Sequence, residues 1–300
     1  MPTTRTFTHP HGCAAVRPDY RASLLRISKC GSSTAARTLQ TDIWRSCSEI
    51  NHAGIPSIAV IRDPLARLLS SVPETILRAR TTPTLGRRTV LVSEPIFEGI
   101  CEAGVDPVQV LRTFETLLER YGPFDAHHEP MTNFLFKRDL TPEIPKLLLL
   151  PLQHLKDGLS RFLEESDVRT SASMVSSNVR SPRPDLTNGD FQRQRLRRHI
   201  RALRHTVLRG RDHEERLPSS HPIALVAGNT YVGEFQAQEA VRVIYDKILN
   251  SPEAVEIARK VVDRHYQPDL RLWEAVVTSQ SPSAGVNVSP LPSQADIFRP

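Results

Sequence analysis

Three hundred residues, 39% of them hydrophobic, are enough for one sizeable core or two modest ones. A formal charge of +6 suits polyanionic ligands such as nucleotides or sulfated sugars. No apolar run approaches the roughly 20 residues a membrane helix needs, and the opening stretch MPTTRTFTHPHGC lacks the apolar centre of a signal peptide. The four cysteines (Cys13, Cys30, Cys47 and Cys101) form no C-x-x-C pair and no disulfide framework. These features lead to the expectation of a cytoplasmic chain with reduced thiols, no structural zinc and no membrane span.

In chain order, residues 1 to 20 are rich in Pro, Thr and His and read as a flexible N-terminal segment. The run Ala22 to Ser28 reads as a buried strand. After the loop Lys29-Cys30-Gly31-Ser32-Ser33-Thr34, a helix is predicted from Ala35 to about Cys47, on the four-residue steps of Leu39, Ile43 and Cys47. Ser57 to Ile61 forms the second predicted strand. Asp63-Pro64, a carboxylate cap followed by proline at the first helical position, then opens a helix.

Residues Thr81 to Ser93 read as a basic surface loop, and Pro107 to Tyr121 as a helix with an apolar face. Lys146 to Pro151 is the third strand and Leu152 to Glu164 the helix after it. Residues 166 to 232 form a loop-rich basic insertion, in which Arg193 to Arg216 is the most basic stretch. Two helices, Glu234 to Leu249 and Pro252 to Val277, close a domain predicted over 21–278, and 279–300 is expected to be disordered. Alternation of strands and helices predicts a parallel sheet covered on both faces.

Two loops carry chemistry. The segment Lys29 to Thr34 sits between a strand and a helix, where unpaired backbone N–H groups and the helix dipole favour an anion. Gly31 would let the backbone approach it closely, and three hydroxyls add donors. Only six of the 39 basic residues are lysine, and Lys29 precedes all the others, so a compact ammonium has been used among arginines. G-x-x-x-x-G-K-[ST] is absent, which argues against an ATPase or an ordinary kinase. In the second loop, Arg62 stands at the C-terminal end of a strand, where open α/β sheets bind ligands. Ser70 follows eight residues on, about 12 Å along a helix; the plainer role for Arg62 is an ion pair with Asp63 or Glu74.

Together the two loops resemble the sulfotransferases, in particular the carbohydrate sulfotransferase branch. The family's [IV]-P-K-x-[GA]-[ST]-[ST] stretch is matched by Ile27-Ser28-Lys29-Cys30-Gly31-Ser32-Ser33, and its R-[DH]-P-x-x-R-x-x-S by Arg62-Asp63-Pro64-Leu65-Ala66-Arg67-Leu68-Leu69-Ser70. Ser28 departs from the usual proline. A third patch, Asp125-Ala126-His127-His128-Glu129-Pro130, is similar to D-x-H-[WF]-x-P-Q, with His128 replacing the aromatic. The likeness covers residues 22 to 164.

The resemblance implies an α/β fold: a P-loop-NTPase-like three-layer core, its parallel sheet flanked by helices, with a mostly helical C-terminal part. It implies 3′-phosphoadenosine 5′-phosphosulfate as co-substrate and a hydroxyl of a carbohydrate or small molecule as acceptor, with no metal. Lys29 would stabilise the leaving nucleotide. The segment Cys30, Gly31, Ser32, Ser33 and Thr34 would hold the 5′-phosphate, and Arg62 with Ser70 the 3′-phosphate. A histidine suits the general base; His127 comes first, His128 next, and His52 is the alternative, with Glu94 and Glu129 as carboxylate options. A nucleotide-dependent phosphotransferase of related fold and a non-catalytic basic nucleotide- or RNA-binding module are the competing readings. The Arg193–Arg216 stretch lacks interleaved aromatics, so it reads as an amphipathic helix rather than a nucleic-acid surface. The His9-x-His11-x-Cys13 pattern lacks a fourth ligand for a metal.

Overall fold

Three apolar runs of the sequence become the parallel centre of a six-stranded sheet. The computed structural model describes residues 12–81, 106–123, 126–166, 245–279 and 288–298. Its strands are β1 (Cys13–Val16), β2 (Ser23–Leu25), β3 (Ile43–Ser46), β4 (Ser57–Ile61), β5 (Leu147–Pro151) and β6 (Ser289–Pro290). Its helices are α1 (Ser32–Leu39), α2 (Cys47–Ala53), α3 (Pro64–Thr81), α4 (Pro107–Tyr121), α5 (Thr132–Leu135), α6 (Leu155–Glu165), α7 (Pro252–His265), α8 (Gln267–Ser279) and α9 (Gln294–Ile297). Residues 245–249 are also helical. The chain divides into two compact units: Met1–Leu68 with Asp125–Val179 and Ala258–Pro300, and Leu69–Phe124 with Arg180–Ile257.

The first unit holds the sheet, in the order β3-β1-β2-β4-β5-β6. β2 pairs with β4 and β4 with β5 in parallel, with Leu25 opposite Ala59 and Ile61 opposite Pro151. The outer pairings are antiparallel: β1 with β2, β1 with β3 and β5 with β6. The sheet is therefore mixed, which corrects the parallel sheet predicted above. Six residues between β1 and β2 can return the chain only as an antiparallel hairpin, since a parallel crossover needs a dozen or more. Ile58, Ala59, Val60 and Ile61 are buried on both faces, as a central strand requires.

Three further stretches depart from expectation. Cys13–Val16, assigned to a flexible segment, is a strand with Ala14, Ala15 and Val16 fully buried. In the segment 279–300, expected to be disordered, Ser289–Pro290 pairs with β5 and Ile297 is buried. The helix predicted from Ala35 to Cys47 stops at Leu39, where Gln40 turns left-handed (φ 54). Ile43–Ser46 then runs extended, and Cys47 opens a new helix. The four-residue step joining Leu39, Ile43 and Cys47 spans three elements rather than one helical face. A capping box marks the restart: Glu49 N donates to Ser46 Oγ, and Ser46 N donates to the Glu49 carboxylate. The predicted helix Pro252 to Val277 is likewise two helices broken at Tyr266, because Pro268 lacks an N–H and crowds the preceding turn.

Other expectations hold. Ala66 N donates to Asp63 Oδ1 at 2.7 Å, so Asp63 caps α3. In the second unit Asp106 caps α4 through Val108 N at 2.9 Å, and the predicted apolar face of Val110, Leu111, Phe114, Leu117 and Leu118 is buried.

Candidate functional site

The loop after β2 is shaped by two left-handed residues, Lys29 at φ 65 and Gly31 at φ 73. The left-handed region is costly for a residue with a side chain; Lys29 takes it as Tyr20, Gln40 and Leu140 do elsewhere among the described residues. Gly31 is the N-cap of α1 and supplies no side-chain cap, and the first turn carries no acid. The first N–H groups of α1 therefore point from an uncapped, dipole-positive end. Ser32 and Ser33 are half-buried and Thr34 is buried. The space beside Gly31 is taken by the protein itself: an added Cβ would meet Leu152 Cδ1 at 2.5 Å. On its Cβ side, Gly31 thus admits a leucine of the β5–α6 connection.

The second loop lies at the same end of the sheet, because β2 and β4 are adjacent and parallel. Arg62 Nη1 donates to the backbone carbonyl of Lys29 at 3.3 Å, bringing together the two loops that the sequence singled out. Asp63 is engaged in capping α3. Arg67, buried at 2% exposure, donates from Nε to the carbonyl of Ser28 at 3.0 Å. Two arginines five residues apart thus bind consecutive carbonyls of the first loop. Ser70 is buried in α3, on the part of that helix belonging to the second unit.

The turn Ala126–Pro130 carries His127, His128 and Glu129, all buried. Its contact with the first loop runs through sulfur: the Cys30 thiol lies 3.6 Å from Met131 Sδ. Burial pushes the Cys30 thiol up to about 11, so it is a packing group rather than a nucleophile. Tyr266 Oη donates to the carbonyl of His128 at 2.7 Å, and Asn133 Nδ2 to Glu129 Oε1 at 3.3 Å. Asp269 accepts from Met131 N at 2.7 Å, Thr132 N at 2.9 Å and Thr132 Oγ1 at 3.0 Å. Burial raises the Asp269 carboxyl despite the opposing charge of Arg67 and those three donors.

His52 is exposed near the end of α2, from which the chain leads into the start of β4; Arg62 follows the end of that strand. The turn bearing His127 and His128 packs on the Lys29–Thr34 loop through Met131, whereas His52 belongs to the approach to the other end of β4. His9, His11, Glu94, Cys101, the Glu234 end of the penultimate predicted helix and the basic stretch Arg193–Arg216 lie outside the described residues.

Sequence reasoning passed over Arg67, Tyr266 and Asp269. Arg67 occupies the second arginine of the R-[DH]-P-x-x-R stretch, a signal that was present without a role. Asp269 follows Pro268 in the first turn of α8 and locally reads as an ordinary helix-start acid. Only its partners, about 138 residues upstream in the fold, reveal otherwise.

Among the described residues, no helix is long and apolar enough to cross a membrane. No family model, curated protein or solved structure matches this chain.

Proposed function

We propose that the chain is a sulfotransferase, moving a sulfuryl group from 3′-phosphoadenosine 5′-phosphosulfate to a hydroxyl of a carbohydrate or small-molecule acceptor. The observation that carries this reading is the hydrogen bond from Arg62 Nη1 to the Lys29 carbonyl, 3.3 Å long, at one end of adjacent parallel strands. It draws together the two loops on which the resemblance rests, which follow one another in the family's order although the gap between Lys29 and Arg62 is short for the carbohydrate enzymes. In this reading the strands β2, β4 and β5 with α1, α6 and the first turn of α3 form a P-loop-like core around the donor.

Sulfuryl transfer, like phosphoryl transfer, runs in line through a loose transition state, so positioning and charge stabilisation dominate. Lys29 neutralises charge developing on the bridging oxygen of the departing nucleotide. The N–H groups and hydroxyls of Gly31 to Thr34 hold the 5′-phosphate at the uncapped start of α1. Arg62 holds the 3′-phosphate, which distinguishes this donor from ATP. His127 takes the acceptor proton, with His128 as the neighbouring imidazole. Their burial beside the loop supports that role better than the exposed position of His52.

The test is a thermal-shift comparison of 3′-phosphoadenosine 5′-phosphate with ATP. The expected result is a rise in Tm with the former and none with the latter. Preference for ATP would move the assignment to a phosphotransferase, and indifference to both nucleotides would overturn it.

A further inference from the structure

Four segments far apart in the sequence meet behind the first loop. Asp269 is fully buried and Arg67 is 2% exposed, so each charge has left water almost entirely. Asp269 binds both N–H groups that begin the turn after His127 and His128, together with the Thr132 hydroxyl. Arg67 binds the carbonyl of Ser28, one residue before Lys29. Its positive charge acts on the Asp269 carboxylate and on Cys30. The Cys30–Met131 sulfur contact and the Tyr266–His128 hydrogen bond run across the same interval.

Apolar side chains would hold such a junction at least as firmly, since desolvating two charges offsets much of what their attraction returns. What buried charges, each hydrogen-bonded to backbone of a different segment, add is a single geometry, because a buried group left unmatched is strongly disfavoured. We propose that Asp269 and Arg67 are a coupled pair of positioning residues: Asp269 fixes the turn bearing His127 and His128, Arg67 fixes the entry to the Lys29 loop, and together they hold the two at one spacing. The chemical purpose of that spacing rests on the sulfotransferase reading; the mechanical coupling does not.

The experiment follows amide hydrogen exchange on the full chain in the wild type and in Asp269→Asn, Arg67→Lys and Thr132→Val. It is joined to calorimetric titration with 3′-phosphoadenosine 5′-phosphate below the onset of unfolding. Asp269→Asn is expected to speed exchange at Met131 and Thr132 and also at residues 30 to 34, by about tenfold in both segments. Arg67→Lys, which keeps the charge but loses the fork, should loosen the same two segments. Nucleotide affinity should fall about tenfold in Asp269→Asn and about threefold in Thr132→Val, since small misplacements of a binding group are costly. Exchange that quickens only in the substituted residue's own segment, or uniformly through the unit, overturns the coupling. Unchanged nucleotide affinity beside a binding wild type overturns the claim that this spacing serves the donor site. Should Asp269→Asn not fold, Thr132→Val decides by the same two readouts. A wild type that ignores the nucleotide sinks the sulfotransferase reading alone, and exchange still decides the coupling.

Discussion

A methyl group placed on Gly31 would lie 2.5 Å from Cδ1 of Leu152, closer than real side-chain contacts allow. The backbone there is also left-handed, at φ 73, so alanine meets two separate penalties. Gly31→Ala should lower stability by about 1–3 kcal/mol, read as a shift in denaturant midpoint. Adding Leu152→Ala should relieve the clash but leave the backbone penalty, making the pair's effects non-additive. An unmoved midpoint in Gly31→Ala would contradict the loop geometry.

Lys29 holds the same left-handed conformation with a side chain that disfavours it. Lys29→Gly should therefore leave the melting temperature unchanged or raise it, by a stability gain of up to about 1 kcal/mol. The same substitution should abolish turnover of the sulfate donor, because the ammonium is gone. A destabilised Lys29→Gly variant would mean that this residue is held for packing and not kept, at a cost, for its charge.

Arg62 is only partly buried and donates from Nη1 to the Lys29 carbonyl; in the proposed complex its guanidinium fork holds the 3′-phosphate. Arg62→Ala should weaken binding of 3′-phosphoadenosine 5′-phosphate by about 2 kcal/mol or more, and Arg62→Lys by less. Calorimetric titration measures this directly. Binding of adenosine 5′-phosphate should be affected far less, and equal losses for both ligands would detach Arg62 from the 3′-phosphate.

The thiols give a pH dependence of known sign. Burial raises Cys30 from 9.0 to about 11, and burial with the Glu143 carboxylate and Cys13 raises Cys47 to about 12. A raised folded-state value means that the native chain keeps its protons while the unfolded chain loses them. The stability these thiols contribute is therefore complete below about pH 9 and is lost as pH climbs through their folded-state values. Denaturant midpoints at pH 8 and pH 10.5 should show the drop, smaller in Cys47→Ala than in the wild type. Alkylation at pH 8 should label half-buried Cys13 before Cys30 or Cys47; rapid native labelling of Cys30 would refute its burial.

The parts legible in the sequence share one property: their signals are local. Ser57–Ile61 and Leu147–Pro151 are apolar runs of strand length, and Asp63-Pro64 and Asp106-Pro107 announce the helices they cap. The candidate site was legible to the same extent, through two loops that each follow such a strand. The restart at Cys47 was also written locally, in Ser46 and Glu49, but a coincidental four-residue step masked it.

Tertiary structure alone decided that Cys13–Val16 and Ser289–Pro290 extend the sheet antiparallel, and that Arg67 and Asp269 face one buried junction. Strand ladders and buried charges are satisfied by whichever group the folded chain brings near, and that group can lie over a hundred residues away. A residue's own neighbours determine its backbone preference. Its partners across the core determine what its side chain does.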